Sequence, residues 1–198
     1  MTTFIWDMDG TLIDSYDVFM AALAETFETY GLDFEPVSTR KFILTHSVND
    51  FLMKQASAFE ELKKSFTGNT TKKNNEIKLM AGAREVLDWA AQQGIRNFLI
   101  THKGENAFKL LEDLKVSAYF TEVITSQSGF ARKPDPESAI YLIKKYQLDK
   151  TSTYYLGDRQ LDIDFALNAG IQSINFLPAE GSQQIQSLAD VRQIFSSL

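Results

Sequence analysis

The N-terminal stretch TTFIWDMDGTLID places Asp7 and Asp9 two residues apart, directly behind an apolar run. In an extended strand, residues i and i+2 share a face, so two carboxylates here would crowd one small space and repel each other. Such a pair stays ionised only with a cation between its members; otherwise one takes up a proton. Either state is useful, the ionised group as a nucleophile or metal ligand and the protonated one as a general acid. Asp158 in YYLGDRQLDID adds a third carboxylate, and Asp162 follows one helical turn later on the same face, while Asp164 points away. The complementary groups are Lys133, a compact cation able to neutralise a phosphoryl oxygen, and Thr101, whose hydroxyl can donate to another. A carboxylate nucleophile facing a phosphate site is the equipment for phosphoryl transfer through an aspartyl-phosphate. The plainer alternatives are turn aspartates before Gly10 and, for Asp158, a helix N-cap, a role compatible with metal binding.

Composition narrows the chemistry further. The chain has no cysteine and two histidines, His46 and His102, so thiolate sites and histidine-rich metal sites are excluded. A metal here must be held by oxygen, which points to a hard cation such as magnesium. The net charge of -6 leaves no electrostatic footprint for nucleic acid or an anionic membrane. No apolar stretch reaches the roughly 18 residues that span a bilayer, and the N-terminus carries no basic region followed by an apolar run. A cytoplasmic protein is expected.

The elements that must position these residues are legible from the pattern. From about residue 82 onward, helix-like and strand-like segments alternate. AREVLDWAAQQG presents Val86, Leu87, Ala90 and Ala91 on one face, and NFLIT is a short buried strand. GENAFKLLEDLKV presents Phe108, Leu111 and Leu114, and FTEVITS is the next strand. DPESAIYLIKKYQL, the strand STYYLG, the helix RQLDIDFALNAG and the strand QSINFL complete the series. Such alternation implies βαβ units and a parallel sheet. In that architecture ligands bind beyond the carboxyl ends of the strands, where Asp7, Thr101, Lys133 and Asp158 all fall. Residues from about 15 to 79 differ: Val18, Leu23, Phe27, Phe42, Phe51 and Leu52 recur at helical spacing with no clear strand, which reads as a small helical bundle inserted after the first strand. Its lysine-rich end, KKSFTGNTTKKNNEIK, reads as a solvated turn or helix face.

The strings DMDGT, LITHK, RKPDPES and GDRQLDIDFALNAG resemble, in order and spacing, the four motifs of the haloacid dehalogenase-like superfamily, in its branch of phosphoglycolate phosphatases and β-phosphoglucomutases. The resemblance covers nearly the whole chain. It implies an α/β fold with a Rossmann-like parallel-sheet core flanked by helices, formed by residues 1–14 and 80–198, and an all-helical cap formed by residues 15–79. It assigns Asp7 as nucleophile and Asp9 as the acid and base for the leaving group and water. It gives magnesium to the Asp7 and Asp158 side chains and the Asp9 backbone carbonyl, with Asp162 behind them or as a supplementary ligand. It makes Thr101 and Lys133 the phosphate holders; Gly10, after Asp9, and His102, after Thr101, are further candidates for the phosphate side. His102 stands where relatives often carry asparagine, as either an exposed loop histidine or a substrate contact. An acid at position 9 favours phosphoryl chemistry over carbon–halogen cleavage, since the dehalogenases of the superfamily lack it.

Specificity is expected from the cap. KFILTHSVNDFL resembles the loop that in related enzymes dips toward the core, which makes Arg40, Thr45, His46 and Asn49 candidates for leaving-group contacts; a plain helix–helix turn is the alternative. The expected activity is a magnesium-dependent phosphatase acting on a small phosphorylated metabolite, with no nucleic acid or membrane partner, as a monomer or weak homodimer. A phosphomutase shares every core residue, and a phospho-aspartate receiver module is a more distant alternative that the helical insertion disfavours.

Overall fold

The computed structural model describes residues 1–55 and 58–196. In chain order the elements are β1 (Thr3–Trp6), β2 (Ile13–Asp14), α1 (Tyr16–Thr29), α2 (Pro36–Thr45), α3 (Val48–Met53), α4 (Phe59–Lys72), β3 (Lys78–Leu79), α5 (Ala83–Gln92), β4 (Arg96–Ile100), α6 (Asn106–Asp113), β5 (Phe120–Ile124), α7 (Glu137–Tyr146), β6 (Thr153–Gly157), α8 (Gln160–Ala169), β7 (Gln172–Asn175), β8 (Ser182–Gln184) and α9 (Ala189–Ile194). The chain forms two compact units, residues 1–13 with 79–198 and residues 14–78.

The first unit is a six-stranded sheet in the order β5-β4-β1-β6-β7-β8, with every neighbouring pair parallel. β1 lies inside it, and all four of its residues are buried, as a strand covered on both faces requires. Trp6 is accommodated there because its indole Nε1–H donates to Asn97 Oδ1 on β4 at 2.9 Å. Ile5, Phe98, Tyr155 and Phe165 share one core cluster, and Phe4 packs with Trp89, Tyr154 and Phe195. The predicted parallel α/β architecture is the one observed.

Two helix faces differ in detail from the sequence reading. On α6 the buried stripe is Ala107, Leu110 and Leu111, which leaves Phe108, one step around the helix, 40% exposed. On α5 the stripe is Ala83, Val86, Leu87 and Ala90, and Ala91 falls outside it. On α6 the expected stripe is shifted by one residue, whereas on α5 Val86, Leu87 and Ala90 are buried as the i, i+3, i+4 spacing requires and the stripe extends back to Ala83 instead of on to Ala91. The edge strand β8 and helix α9 have too little apolar pattern to be read; all of β8 is at least partly exposed.

The second unit is helical, with Leu23, Phe27, Ile43, Leu52 and Leu62 at its centre. The lysine-rich stretch lies largely on α4, ending in a 3-10 turn at Asn74–Glu76. The break between α2 and α3 is dictated locally: Ser47 Oγ accepts the Asp50 N–H at 3.0 Å and the Asp50 carboxylate accepts the Ser47 N–H at 2.9 Å, a capping box that starts a new helix. Among the described residues, no helix is long and apolar enough to cross a membrane.

Candidate active site

β1 ends at Trp6, and the chain then turns. The Asp7 N–H still pairs with Leu156 O at 2.8 Å, so this residue is anchored to β6, while Gly10, at a φ of 84°, closes a tight turn with its N–H on Ile13 O at 2.9 Å. Only glycine takes that backbone conformation cheaply. Its amide is spent on the turn, so Gly10 shapes this corner and donates within the chain.

The centre of the site is Lys133. Its side chain is 1% exposed, and its ammonium donates to Asp7 Oδ1 at 2.6 Å, Asp162 Oδ1 at 2.6 Å and Tyr155 Oη at 2.8 Å. An ammonium has three N–H groups, so all of them are taken. Burial alone would lower the Lys133 pKa, but Asp162 and Asp7 outweigh it and hold the lysine well above its usual range. For Asp7 the balance runs the other way: burial pushes its carboxyl up to about 6 against the pull of Lys133 and Arg159, with Asp162 adding to the rise. The main acidic neighbour of Asp7 is therefore Asp162, not Asp9 as the two-residue spacing suggested. The reason is geometric, because β1 stops before Asp7 and the pair does not lie on one strand.

Asp9 has a lysine of its own. Its Oδ1 accepts from Lys103 Nζ at 2.7 Å, in a pair whose side chains are 8% and 17% exposed. Thr101, buried at the end of β4, accepts the Lys103 N–H on its Oγ1 at 3.0 Å, which keeps its own hydroxyl hydrogen for another acceptor. His102 Nε2 accepts the Lys133 backbone N–H at 3.1 Å. It is neither an exposed loop histidine nor charged: burial, then the positive charges of Lys133, Arg132 and Arg159, drive its pKa down to about 2.

Asp162 lies in the first turn of α8 with no exposed surface. Its Oδ2 accepts the Arg159 N–H at 3.2 Å and the Asp158 N–H at 3.4 Å, tying the helix start to the end of β6. This close approach depends on Gly157, where a Cβ would stand 2.3 Å from Asp162 Cβ. Asp164 lies apart, accepting from Gln160 at 2.9 Å.

Asp7, Asp158 and Asp162 each offer one carboxylate oxygen, all within 4.8 Å of one another. Asp7 Oδ2 is buried without a hydrogen-bond partner. An orphaned anionic oxygen beside two further carboxylates, with no nitrogen or sulfur donor, fits a hard divalent cation.

The sequence reading missed Lys103 and Tyr155. Lys103 follows Thr101 by two residues beyond the same strand, a position that could have been weighed; Tyr155 reads as an ordinary core aromatic, and only its partner reveals its polar end. In the helical unit, Arg40 pairs with Asp17. Thr45 Oγ1 lies 3.1 Å from Phe42 O and 2.9 Å from His46 Nδ1, the His46 ring stacks on Phe42 at 4.3 Å, and Asn49 lies on α3 half-buried. KFILTHSVNDFL is there a helix–helix turn.

Residues 4–176 match the profile of a family described as haloacid dehalogenase-like hydrolase. A protein of Agrobacterium fabrum named phosphoglycolate phosphatase is 30% identical over 185 residues, spanning 86% of this chain and 78% of that protein. A protein of the same name from Pseudomonas savastanoi pv. phaseolicola is 26% identical over 188 residues, spanning 86% and 67%. Among solved structures, a hydrolase from Streptococcus pneumoniae TIGR4 is 32% identical with a TM-score of 0.69, covering 98% of each chain.

Proposed function

The chain belongs to the haloacid dehalogenase-like hydrolase family, and on that premise we propose that it is a magnesium-dependent phosphatase that hydrolyses a small phosphorylated metabolite through an aspartyl-phosphate on Asp7. The observation that carries this reading is Asp7 itself, a buried carboxylate with Oδ1 held by Lys133 at 2.6 Å and Oδ2 without a hydrogen-bond partner. With a pKa near 6 it is ionised at neutral pH despite its burial.

Each residue then has a distinct task. Asp7 attacks phosphorus as the bond to the leaving-group oxygen breaks, and Asp9 gives that oxygen its proton. Asp9 then takes a proton from water, which attacks the same phosphorus and releases inorganic phosphate and free Asp7. Lys133, with its three N–H groups on Asp7, Asp162 and Tyr155, orients the nucleophile and supplies positive charge beside the developing oxyanions. The Thr101 hydroxyl donates to a phosphoryl oxygen. The Asp7 and Asp158 side chains and the Asp9 backbone carbonyl, with Asp162 behind them, would hold magnesium, which would supply positive charge against the phosphoryl oxygens.

The similar proteins from Agrobacterium fabrum and Pseudomonas savastanoi pv. phaseolicola carry the name phosphoglycolate phosphatase, which makes phosphoglycolate the first substrate to try. The test is a panel of that compound, sugar phosphates and an aryl phosphate, assayed with and without magnesium. Phosphate release that requires magnesium is expected; no release from any compound contradicts the proposal.

A further inference from the structure

We propose that His102 is a positioning residue for Lys133: its imidazole accepts the lysine's backbone N–H and ties the end of β4 to the loop that carries the lysine. In the loop between β5 and α7, Thr125 at its start is buried, and from residue 126 to 136 all are exposed or half-buried except Lys133, which is 5% exposed. A residue buried in the middle of such an exposed run needs fixing at both ends. The ammonium is fixed by Asp7, Asp162 and Tyr155, and the amide, which burial obliges to find an acceptor, by His102 Nε2 at 3.1 Å.

This contact sets the state of the ring. Nε2 accepts only in the neutral tautomer with the proton on Nδ1. The charged groups that act on the ring are Lys133, Arg132 and Arg159, all cationic, and with burial they disfavour protonation. A ring so held neither binds phosphate as a cation nor shuttles protons at neutral pH.

The neighbouring residues show why the grip carries to the reaction. Thr101 Oγ1 accepts the Lys103 N–H at 3.0 Å, and Lys103 O accepts the Ser126 N–H at 2.8 Å. Lys103 Nζ reaches Asp9 at 2.7 Å. The turn 101–103 is thus braced in itself and against the β5 loop, and His102 references Lys133 to the same turn that presents Thr101. Releasing that bond lets the ammonium drift from Asp7, and small misplacements at a reacting group are expensive.

The kinetic test rests on the phosphatase reading; a second measurement does not. Gln can place its Oε1 near the position of Nε2, whereas Asn cannot reach it. With the substrate that wild type hydrolyses best, His102→Ala and His102→Asn are expected to lower kcat by about ten- to a hundredfold with KM within about twofold, and His102→Gln to restore most of it. Unchanged kcat in His102→Ala, a KM effect in its place, or a Gln variant no better than Ala overturns the proposal. Independently of turnover, nitrogen NMR of the wild-type ring is expected to show the neutral Nδ1–H form with an accepting Nε2 from about pH 8 to pH 5. A protonated ring or the opposite tautomer overturns it. If wild type hydrolyses nothing, the phosphatase reading fails, and the ring spectrum alone decides the contact.

Discussion

The sheet unit and the helical unit handle charge in opposite ways. At the end of β1, Lys133 and Asp162 pair at 2.6 Å with side chains 1% and 0% exposed; on α1 and α2, Asp17 and Arg40 pair with side chains 79% and 46% exposed. A surface pair is worth about 0–1 kcal/mol. A buried one recovers its desolvation cost only when every lone pair and proton is matched, and apolar replacements of such pairs often do as well or better for stability. A buried lysine whose three N–H groups are all taken, beside an Asp7 oxygen left without a partner, is therefore a poor way to build a core and a good way to hold a reactive carboxylate. Among the described residues of the helical unit, Arg40 pairs with Asp17 at the surface and Thr45 with its neighbours Phe42 and His46.

Several substitutions sharpen or break this contrast. Asp7→Asn is expected to lower phosphate release by at least about a thousandfold while circular dichroism stays native; substantial activity in this variant would dissolve the distinction between the units. Lys133→Ala leaves Asp7, Asp162 and Tyr155 without their shared donor and is expected to cost about 3–5 kcal/mol of stability as well as activity. Calorimetry should register this as a Tm lower by roughly 6–20 °C.

A smaller effect is expected from Gly157→Ala. The new Cβ would stand 2.3 Å from Asp162 Cβ, so Asp162 must shift, at about 1–3 kcal/mol and with a loss of kcat. In the metal-free protein, stability should depend on pH through Asp7. Its pKa is 3.8 as an ordinary aspartate and about 6 when folded, so the folded state holds the proton more tightly. The contribution is complete below the lower value and is lost as pH rises through the upper one, by on the order of 3 kcal/mol. Denaturant melts of wild type and Asp7→Asn across that range read the difference, and parallel curves contradict it. The smallest effect belongs to Arg40→Ala, expected to change stability by no more than about 1 kcal/mol and to leave aryl phosphate turnover unaltered.

What was legible in the sequence divides along similar lines. The parallel α/β pattern was readable because β1, β4, β6 and β7 are short buried runs between amphipathic helices, and period and length distinguish them. Asp7 and Asp158 were readable because charged residues behind buried strands are conspicuous, and Lys133 from its place in RKPDPES, in the loop after β5. The grouping of those charges was not, since it depends on where a strand stops: Asp7 keeps one more ladder bond, to Leu156 O at 2.8 Å, and Asp9 turns away to Lys103. Tyr155 was hidden because a buried aromatic looks the same whether or not its hydroxyl meets a lysine. His102 was open to two readings because its partner is a backbone amide 31 residues along the chain, which leaves no trace in residue type.

The central claim is that Asp7 receives the phosphoryl group. Asp9→Asn should slow hydrolysis of the covalent intermediate while leaving the nucleophile in place, so this variant, mixed with magnesium and a turned-over substrate and quenched in acid, can be digested and read by mass spectrometry. The account predicts a phosphoryl group on the peptide that contains Asp7, absent when Asp7 is also replaced by Asn. A phosphoryl group on another residue, or one that persists in the double variant, would contradict it.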